Sequence, residues 1–167
     1  MSLEQAVANL GMHLDSERII LEKLYYLLEH EWQALRAFKR EELDELNQQK
    51  LLLLQEHQNL LQNRYYFLSP FTPVTGEMPT LSYICYYLPP QLSAYLRPMQ
   101  EHLRNLALTI KEQQARNEQM VNTALQMIKA LKKTIEEQNP ENQQDQTYNQ
   151  QGKITHRIPR NREYGKG

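Results

Sequence analysis

Apolar residues recur along the first 38 residues with the alternating four- and three-residue step of a coiled-coil heptad. Nine of the eleven positions on this step are apolar, and the two exceptions are Glu17 and Glu31. Such a step gathers the apolar side chains on one face of an α-helix. We therefore predict a long amphipathic helix over about residues 2–39. Its seam positions are Leu3, Val7, Leu10, Leu14, Glu17, Leu21, Leu24, Leu28, Glu31, Leu35 and Phe38.

The heptad phase breaks after Phe38. Apolar residues resume one position late, at Leu43 and Leu46, beside the charged run Lys39-Arg40-Glu41-Glu42. A slip of this kind indicates a turn between two antiparallel helices, although a local skip within one long helix would give the same pattern. We favour the turn, which predicts a second helix over about residues 41–68.

A break rich in proline separates the second helix from the rest of the chain. Segment 69–80 holds three prolines and a glycine, a composition typical of a loop. Thr80 can then cap a short helix over residues 81–88, which ends at Pro89-Pro90. The β-branched and aromatic residues of that stretch would also suit a strand, but the sequence offers no second strand to pair with it.

The longest seam follows, and it predicts a third long helix over about residues 91–138. Pro98 marks either a kink in this helix or its true start. From Pro98 onward the helix would measure roughly 57 Å, more than a compact core of this chain would cover. Part of its apolar face is therefore expected to remain free for a partner. The seam positions are Leu92, Leu96, Met99, Leu103, Leu106, Ile110, Gln113, Asn117, Met120, Ala124, Met127 and Leu131.

Two polar residues, Gln113 and Asn117, interrupt this third seam. A polar layer inside a coiled-coil seam commonly sets the register of the helices. The same layer could instead be a weak point at which the helix exchanges partners. We favour the register-setting interpretation.

Composition agrees with an all-α fold, because the chain of 167 residues has 26 leucines and only 5 glycines. The predicted fold is an elongated antiparallel helical hairpin within a three-helix, coiled-coil-like bundle, with a short extra helix. This helical domain would occupy residues 1–138. Residues 139–167 carry too few large apolar side chains to order themselves, which predicts a flexible, disordered C-terminal tail.

Charge is distributed unevenly along the chain. Residues 152–167 contain five basic residues and one acidic residue, a net charge of +4, whereas residues 1–151 carry a net charge of −5. Because most of the chain is acidic, no nucleic-acid partner is expected, and the basic end is either a solubilising segment or a docking arm.

The sequence has few of the features that are typical of an enzyme, a metal-binding site or a membrane-spanning helix. Cys85 is the single cysteine, which excludes an internal disulfide and a cysteine-based zinc site. No glutamate precedes a histidine by three residues, as a di-iron bundle requires, and the chain has no glycine-rich phosphate loop. The longest aliphatic run, Leu51 to Leu54, is far shorter than a membrane span. We expect a cytoplasmic, non-enzymatic protein with no cofactor or metal.

Three stretches together resemble the FlgN family of flagellar type III export chaperones. The resemblance covers roughly residues 15–153, and the basic end from Ile154 to Gly167 departs from it. The first stretch resembles the family's first hairpin, the second its long third helix, and the third a Tyr-x-x-x-Gly element near its C-terminus. The stretches are Glu31-x-x-Ala34-Leu35 followed by Leu43, Leu46, Lys50, Leu53, Leu60 and Arg64; Arg116-Asn117-Glu118-Gln119 through Asn122 to Leu125; and Tyr148-Asn149-Gln150-Gln151-Gly152-Lys153.

This resemblance implies a chaperone that binds the hook–filament junction proteins FlgK and FlgL before export. It also implies delivery to the export gate protein FlhA, which Tyr148 would contact, with Gly152 allowing a bend. A second Tyr-Gly pair, Tyr164-Gly165, leaves open which tyrosine makes that contact. An amphipathic helix could hold a helix of the cargo in the helix-in-groove mode. The cargo-binding candidates on the third long helix are Leu103, Leu106, Ile110, Met120, Ala124, Met127 and Leu131.

Two other functions suit parts of the sequence. A structural coiled-coil protein that self-associates through its seams would explain the heptads, and a homodimer of a chaperone could use the same seams. A helical adaptor with a nucleic-acid-binding tail would explain Arg157, Arg160 and Arg162, but not the acidic remainder.

Overall fold

The structure is a computed structural model that describes residues 2–73 and 76–138, together with the backbone of four residues further on. Within this part of the chain the fold is all-α, as predicted, apart from one pair of two-residue strands. The chain divides into two compact units, residues 1–121 and residues 122–167. The elements are α1 (Leu3–Arg36), α2 (Arg40–Leu68), a 3₁₀ turn (Ser69–Phe71), α3 (Leu81–Tyr87), α4 (Pro90–Gln138), β1 (Thr147–Tyr148) and β2 (Ile154–Thr155).

The chain reverses between α1 and α2 in the three residues Ala37–Lys39. Phe38 has a φ of 53°, in the left-handed region. Its amide donates to the carbonyl of Leu35 at 3.3 Å, and the amide of Lys39 donates to the carbonyl of Ala34 at 3.0 Å. These two bonds form a Schellman ending, in which glycine usually holds the left-handed position. The structure therefore has a turn between the first two helices rather than a skip, and α1 ends at Arg36.

Helices α1 and α2 pack antiparallel along their seams. The two acidic seam positions of α1 each pair with a basic residue of α2. Glu31 pairs with Lys50, and Glu17 pairs with Arg64. Both glutamates are buried, so their charges are balanced within the hairpin.

In the first unit, α4 packs against α1 and runs parallel to it. His102 lies beside Glu22 near the middle of α1, and Arg116 lies beside Glu29 closer to the end of α1. At the other end of this contact, α4 places the ring of Tyr95 over Gly11. A Cβ atom on Gly11 would lie 2.6 Å from the ring, so only glycine permits this approach without movement of Tyr95.

The main hydrophobic core lies where α1, α3 and α4 meet the end of α2. Its most deeply buried side chains come from α1 and α4, and α3 contributes Ile84 and Cys85. A smaller cluster of Leu27, Ala34 and Leu46 lies toward the α1–α2 turn. The main core comprises Val7, Leu10, Leu14, Leu21, Leu24, Leu28, Leu68, Ile84, Cys85, Leu96, Leu103 and Ile110.

Caps and proline define the starts of the helices. The Thr80 hydroxyl accepts a hydrogen bond from the Tyr83 amide at 3.2 Å, as expected for the cap of α3. Pro98 lies inside α4, which already starts at Pro90.

None of the helices in the described ranges has the length and hydrophobicity needed to cross a membrane.

β1 and β2 belong to the second unit and form an antiparallel pair. Thr147 lies opposite Thr155, and Tyr148 lies opposite Ile154. The pairing falls within the segment predicted to be a flexible tail. The rest of residues 139–167 lies outside the described residues.

Candidate helix-binding face of α4

The first three cargo-binding candidates lie within the helical bundle. Leu103 and Ile110 are buried members of the main core, 7% and 6% exposed. Leu106 is half-buried and packs against the same core. In this conformation the three side chains hold α4 to the bundle, and Leu103 and Ile110 present almost no surface to a partner.

The other four candidates become more exposed toward the end of α4. Met120 and Ala124 are half-buried. Met127 and Leu131 are 62% and 63% exposed. Two large apolar side chains from the predicted set are therefore available for contact.

Sequence reasoning missed three further exposed apolar residues on the same stretch of α4. These are Leu125, Ile128 and Ile135, and Ile128 and Ile135 are more than half exposed. Each lies one position C-terminal to a position of the heptad repeat that includes Ala124, Met127 and Leu131. A second four-and-three step, from Leu125 to Ile128 and on to Lys132 and Ile135, could have revealed them.

These residues form one apolar stripe, which we call the α4 C-terminal face. Its members recur at three- and four-residue intervals, so their side chains share one side of the helix. Nearby, Lys132 with Glu136 and Lys133 with Glu137 make ion pairs across one turn, at 3.8 Å and 3.7 Å. Such pairs stabilise a helix by a few tenths of a kcal/mol each. The α4 C-terminal face consists of Ala124, Leu125, Met127, Ile128, Leu131 and Ile135.

A polar layer in the first unit joins α4 to the hairpin. The side-chain amide of Asn117 donates to the Leu28 carbonyl at 2.9 Å and to Glu31 Oε2 at 2.7 Å. Glu31 also accepts from Lys50 of α2, so one network links three helices. Gln113, one turn earlier, is buried as well. These bonds support the interpretation that the polar layer sets the register of α4 on α1.

Arg116 reinforces the same junction from the surface. Its guanidinium carbon lies 4.3 Å from the centre of the Trp32 ring, and it donates to Glu29 at 3.2 Å. A stacked arginine with a carboxylate partner fixes the helix pair more firmly than an exposed ion pair alone.

The predicted gate-binding residues fall in the second unit. The backbone of Tyr148 lies in β1, opposite Ile154. Gly152 and the alternative tyrosine, Tyr164, lie outside the described residues.

Two features of the described residues bear on side-chain chemistry: the thiol of Cys85 and the spacing of possible metal ligands. Cys85 is buried, and this burial raises the pKa of its thiol, which keeps it protonated and unreactive. In the ranges that the structure describes, no three histidine, cysteine, aspartate or glutamate side chains are close enough to hold a metal ion. The features that stand out are helix seams and a polar layer.

Comparison with known proteins identifies the family. Searches of curated proteins and of solved structures found no match. The sequence model of the FlgN protein family matches residues 1–156, which is nearly the whole chain. The chain therefore belongs to the FlgN protein family of flagellar export chaperones.

Proposed function

We propose that this protein binds flagellar hook–filament junction proteins of the FlgK and FlgL type in the cytoplasm and delivers them to the export gate protein FlhA. The observation that carries the proposal is the α4 C-terminal face, whose four largest aliphatic side chains are all exposed. A helical segment of the cargo would lie along this face, and the region around Tyr148 would contact the gate.

The energetics of burial favour such a partner. Ile128, Leu131 and Ile135 are each at least 60% exposed. Complete burial of one such side chain contributes about 1.5–3 kcal/mol relative to full exposure. An amphipathic helix with apolar residues at three- and four-residue intervals would cover several of them at once.

Preorganisation of α4 also supports the proposal. Residues 124–137 continue a helix whose earlier turns are anchored by Leu96, Leu103 and Ile110 in the core. Because the helix nucleus is already formed, a partner does not have to order this segment from a random coil. The interaction can then be tight enough to keep the cargo from associating with itself.

The proposal is tested by measuring binding of purified FlgK- and FlgL-type junction proteins by titration calorimetry. The variant Ile128→Glu/Leu131→Glu places two charges on the α4 C-terminal face. We expect it to weaken binding at least tenfold, or about 1.4 kcal/mol, because both carboxylates would be desolvated on docking. The matched control is Leu51→Glu on α2, where the leucine is 67% exposed but lies on another helix.

Three results would contradict cargo binding by this face. The first is that neither junction protein binds the wild-type chain at tens of micromolar, roughly −6 kcal/mol. The second is that the double variant binds as tightly as wild type, and the third is that Leu51→Glu weakens binding equally. Circular dichroism of each variant verifies that the helical content is unchanged.

Delivery is tested separately from cargo binding. Tyr148→Ala should reduce binding to the cytoplasmic part of FlhA and reduce export of the junction proteins, while cargo affinity stays at the wild-type value. Tyr164→Ala is the matched control. Loss of gate binding in Tyr164→Ala but not in Tyr148→Ala would assign the contact to the other tyrosine.

A further inference from the structure

A cavity of about 530 Å³ lies within the first unit. It opens between the middle of α1, the second half of α2, the start of α3 and the middle of α4. Its volume is within the range of small-molecule sites, about 300–1,000 Å³. The proposed cargo and gate contacts do not use this cavity.

Positive charge predominates in the cavity lining. Arg64 of α2 and Arg104 of α4 both line it, and Glu17 of α1 is the one carboxylate among the described lining residues. Glu17 is already paired with Arg64. Arg104 has no ion-pair partner among the described residues, so one guanidinium remains to attract an anion.

Two nitrogen atoms of the lining are buried without a hydrogen-bond partner in the described part of the chain. They are Nε of Arg64 and Nε2 of His57. His57 Nε2 lies 3.5 Å from Glu17 Oε1, which is too long for a good hydrogen bond. Both atoms are covered by neighbouring protein atoms, so a ligand oxygen would reach them only after a small shift of the lining side chains. A buried N–H group that lacks an acceptor costs free energy, and such a contact would recover it.

The cavity lining also has polar and apolar side chains, which suit a ligand that has both a charged group and an apolar body. Gln100 donates to the Ser82 hydroxyl at 2.5 Å, and both residues line the cavity. Leu21, Leu68 and Leu103 supply an apolar wall. Inorganic phosphate would fill only a small part of this volume, whereas an organic anion could place its charged group at the arginines and its apolar body against the leucines.

We propose that this cavity is a binding site for a small organic anion, with Arg104, Arg64 and His57 holding its charged oxygen atoms. The charged group is a phosphate or a carboxylate, because both present several acceptor oxygens to guanidinium groups. The apolar body of the ligand packs against the leucine wall. Occupancy would join α1, α2 and α4 through one ligand and so stabilise the bundle.

The test is an NMR titration of the full chain with phenyl phosphate, benzoate and the neutral analogue benzyl alcohol. We expect both anions, or the one whose charged group fits, to shift amide resonances around the cavity saturably. Fragments of this size bind with dissociation constants of roughly 1 mM. Benzyl alcohol should cause no saturable shift, and the stronger of the two anions identifies the preferred charged group.

Three arginine variants distinguish binding at a defined site from weak, non-specific electrostatic attraction. Arg104→Gln should weaken anion binding about tenfold, because it removes a charge-assisted contact. Arg36→Gln makes the same change at an exposed arginine at the end of α1 and should leave binding unchanged. Arg64→Lys keeps the charge that faces Glu17 but removes the Nε donor, and should weaken binding several-fold without lowering the thermal midpoint.

The proposal would be overturned by any of three results. Neither anion produces a saturable shift, benzyl alcohol shifts the same resonances as strongly, or Arg104→Gln binds the anions as well as the wild-type chain does. None of these results bears on cargo binding, which is measured with a different partner and different variants.

Discussion

At the residue scale, Phe38 occupies the left-handed position that ends α1, although its side chain is 82% exposed. For a residue that has a Cβ atom, this conformation costs about 1–2 kcal/mol. Phe38→Gly should therefore stabilise the fold, by about 0.5–1 kcal/mol after the greater flexibility of glycine in the unfolded chain is subtracted. Urea unfolding followed by circular dichroism measures this difference.

The control for Phe38 is Phe38→Ala, which removes the ring but keeps the Cβ atom that disfavours the left-handed region. It should leave the free energy of unfolding close to that of wild type. If Ala stabilises the protein as much as Gly does, the effect comes from loss of the exposed ring and not from the backbone.

His13 is a second residue whose environment has a measurable consequence. It is buried and stacks on Phe67 with ring centres 4.5 Å apart. Burial lowers its pKa below the ordinary value of 6.5, the nearby Glu17 opposes this shift, and Arg64 adds to it. The unfolded chain therefore binds a proton more readily than the folded chain. His13 should favour folding fully above pH 6.5, and this contribution should be lost as the pH falls toward the folded pKa.

The measurement compares the unfolding free energy of wild type with that of His13→Leu from about pH 8 to about pH 5. Wild type should lose stability relative to the variant as the solution is acidified. The other histidines are common to both proteins and cancel in the comparison. Parallel pH curves for the two proteins would contradict the assignment to His13.

At the element scale, the two ion pairs of the hairpin share one spacing. Glu17 and Glu31 are two heptads apart on α1, and their partners Arg64 and Lys50 are two heptads apart on α2. Glu17→Ala should destabilise the fold by about 2–4 kcal/mol, because it leaves the partly buried Arg64 without its carboxylate. The double variant Glu17→Leu/Arg64→Leu should lie within about 1 kcal/mol of wild type, because no unpaired charge remains.

Chemical denaturation of the two variants checks this difference in stability. If the double variant is as unstable as Glu17→Ala, the pair contributes more than charge balance. Crosslinking between cysteines placed on α1 and α2 would then show whether the hairpin has also lost its register.

Hydrophobic periodicity was sufficient to predict which segments are helical, because it depends on local spacing. The periodicity continues through Phe38, so it predicts a first helix that extends beyond Arg36. In the structure α1 ends at Arg36, because Phe38 adopts the left-handed conformation. The periodicity also places Leu103 and Leu131 on the same heptad step, although one is buried and the other is exposed. Which stretch of a seam is covered depends on packing between segments far apart in sequence, and the heptad repeat does not encode it.

At the scale of the whole molecule, the residues of both hydrophobic clusters lie between Val7 and Ile110. Removal of residues 139–167 should therefore shift the thermal unfolding midpoint by less than about 2 °C, since none of the buried side chains in these clusters is lost. The same deletion should keep cargo affinity at the wild-type value and abolish export, because the predicted gate contact is removed.

Differential scanning fluorimetry, cargo titration and a secretion assay measure the three consequences of this deletion. Full export by the shortened chain would count against a gate contact in that segment. A large fall in the thermal midpoint would show that the segment contributes to folding of the bundle.

The arrangement of the helices also sets an order for their assembly. The hairpin closes through a turn of three residues, whereas the contacts of Asn117 with Leu28 and Glu31 join positions 89 and 86 residues apart. Closing the longer loop costs more chain entropy, so we expect the α1–α2 hairpin to form first and α4 to dock afterwards. Until α4 docks, the leucine seam of α1 is open along the side that α4 will cover. During that interval, a newly synthesised molecule would expose this apolar seam of α1. The exposed seam would resemble the surfaces that a chaperone covers on other proteins.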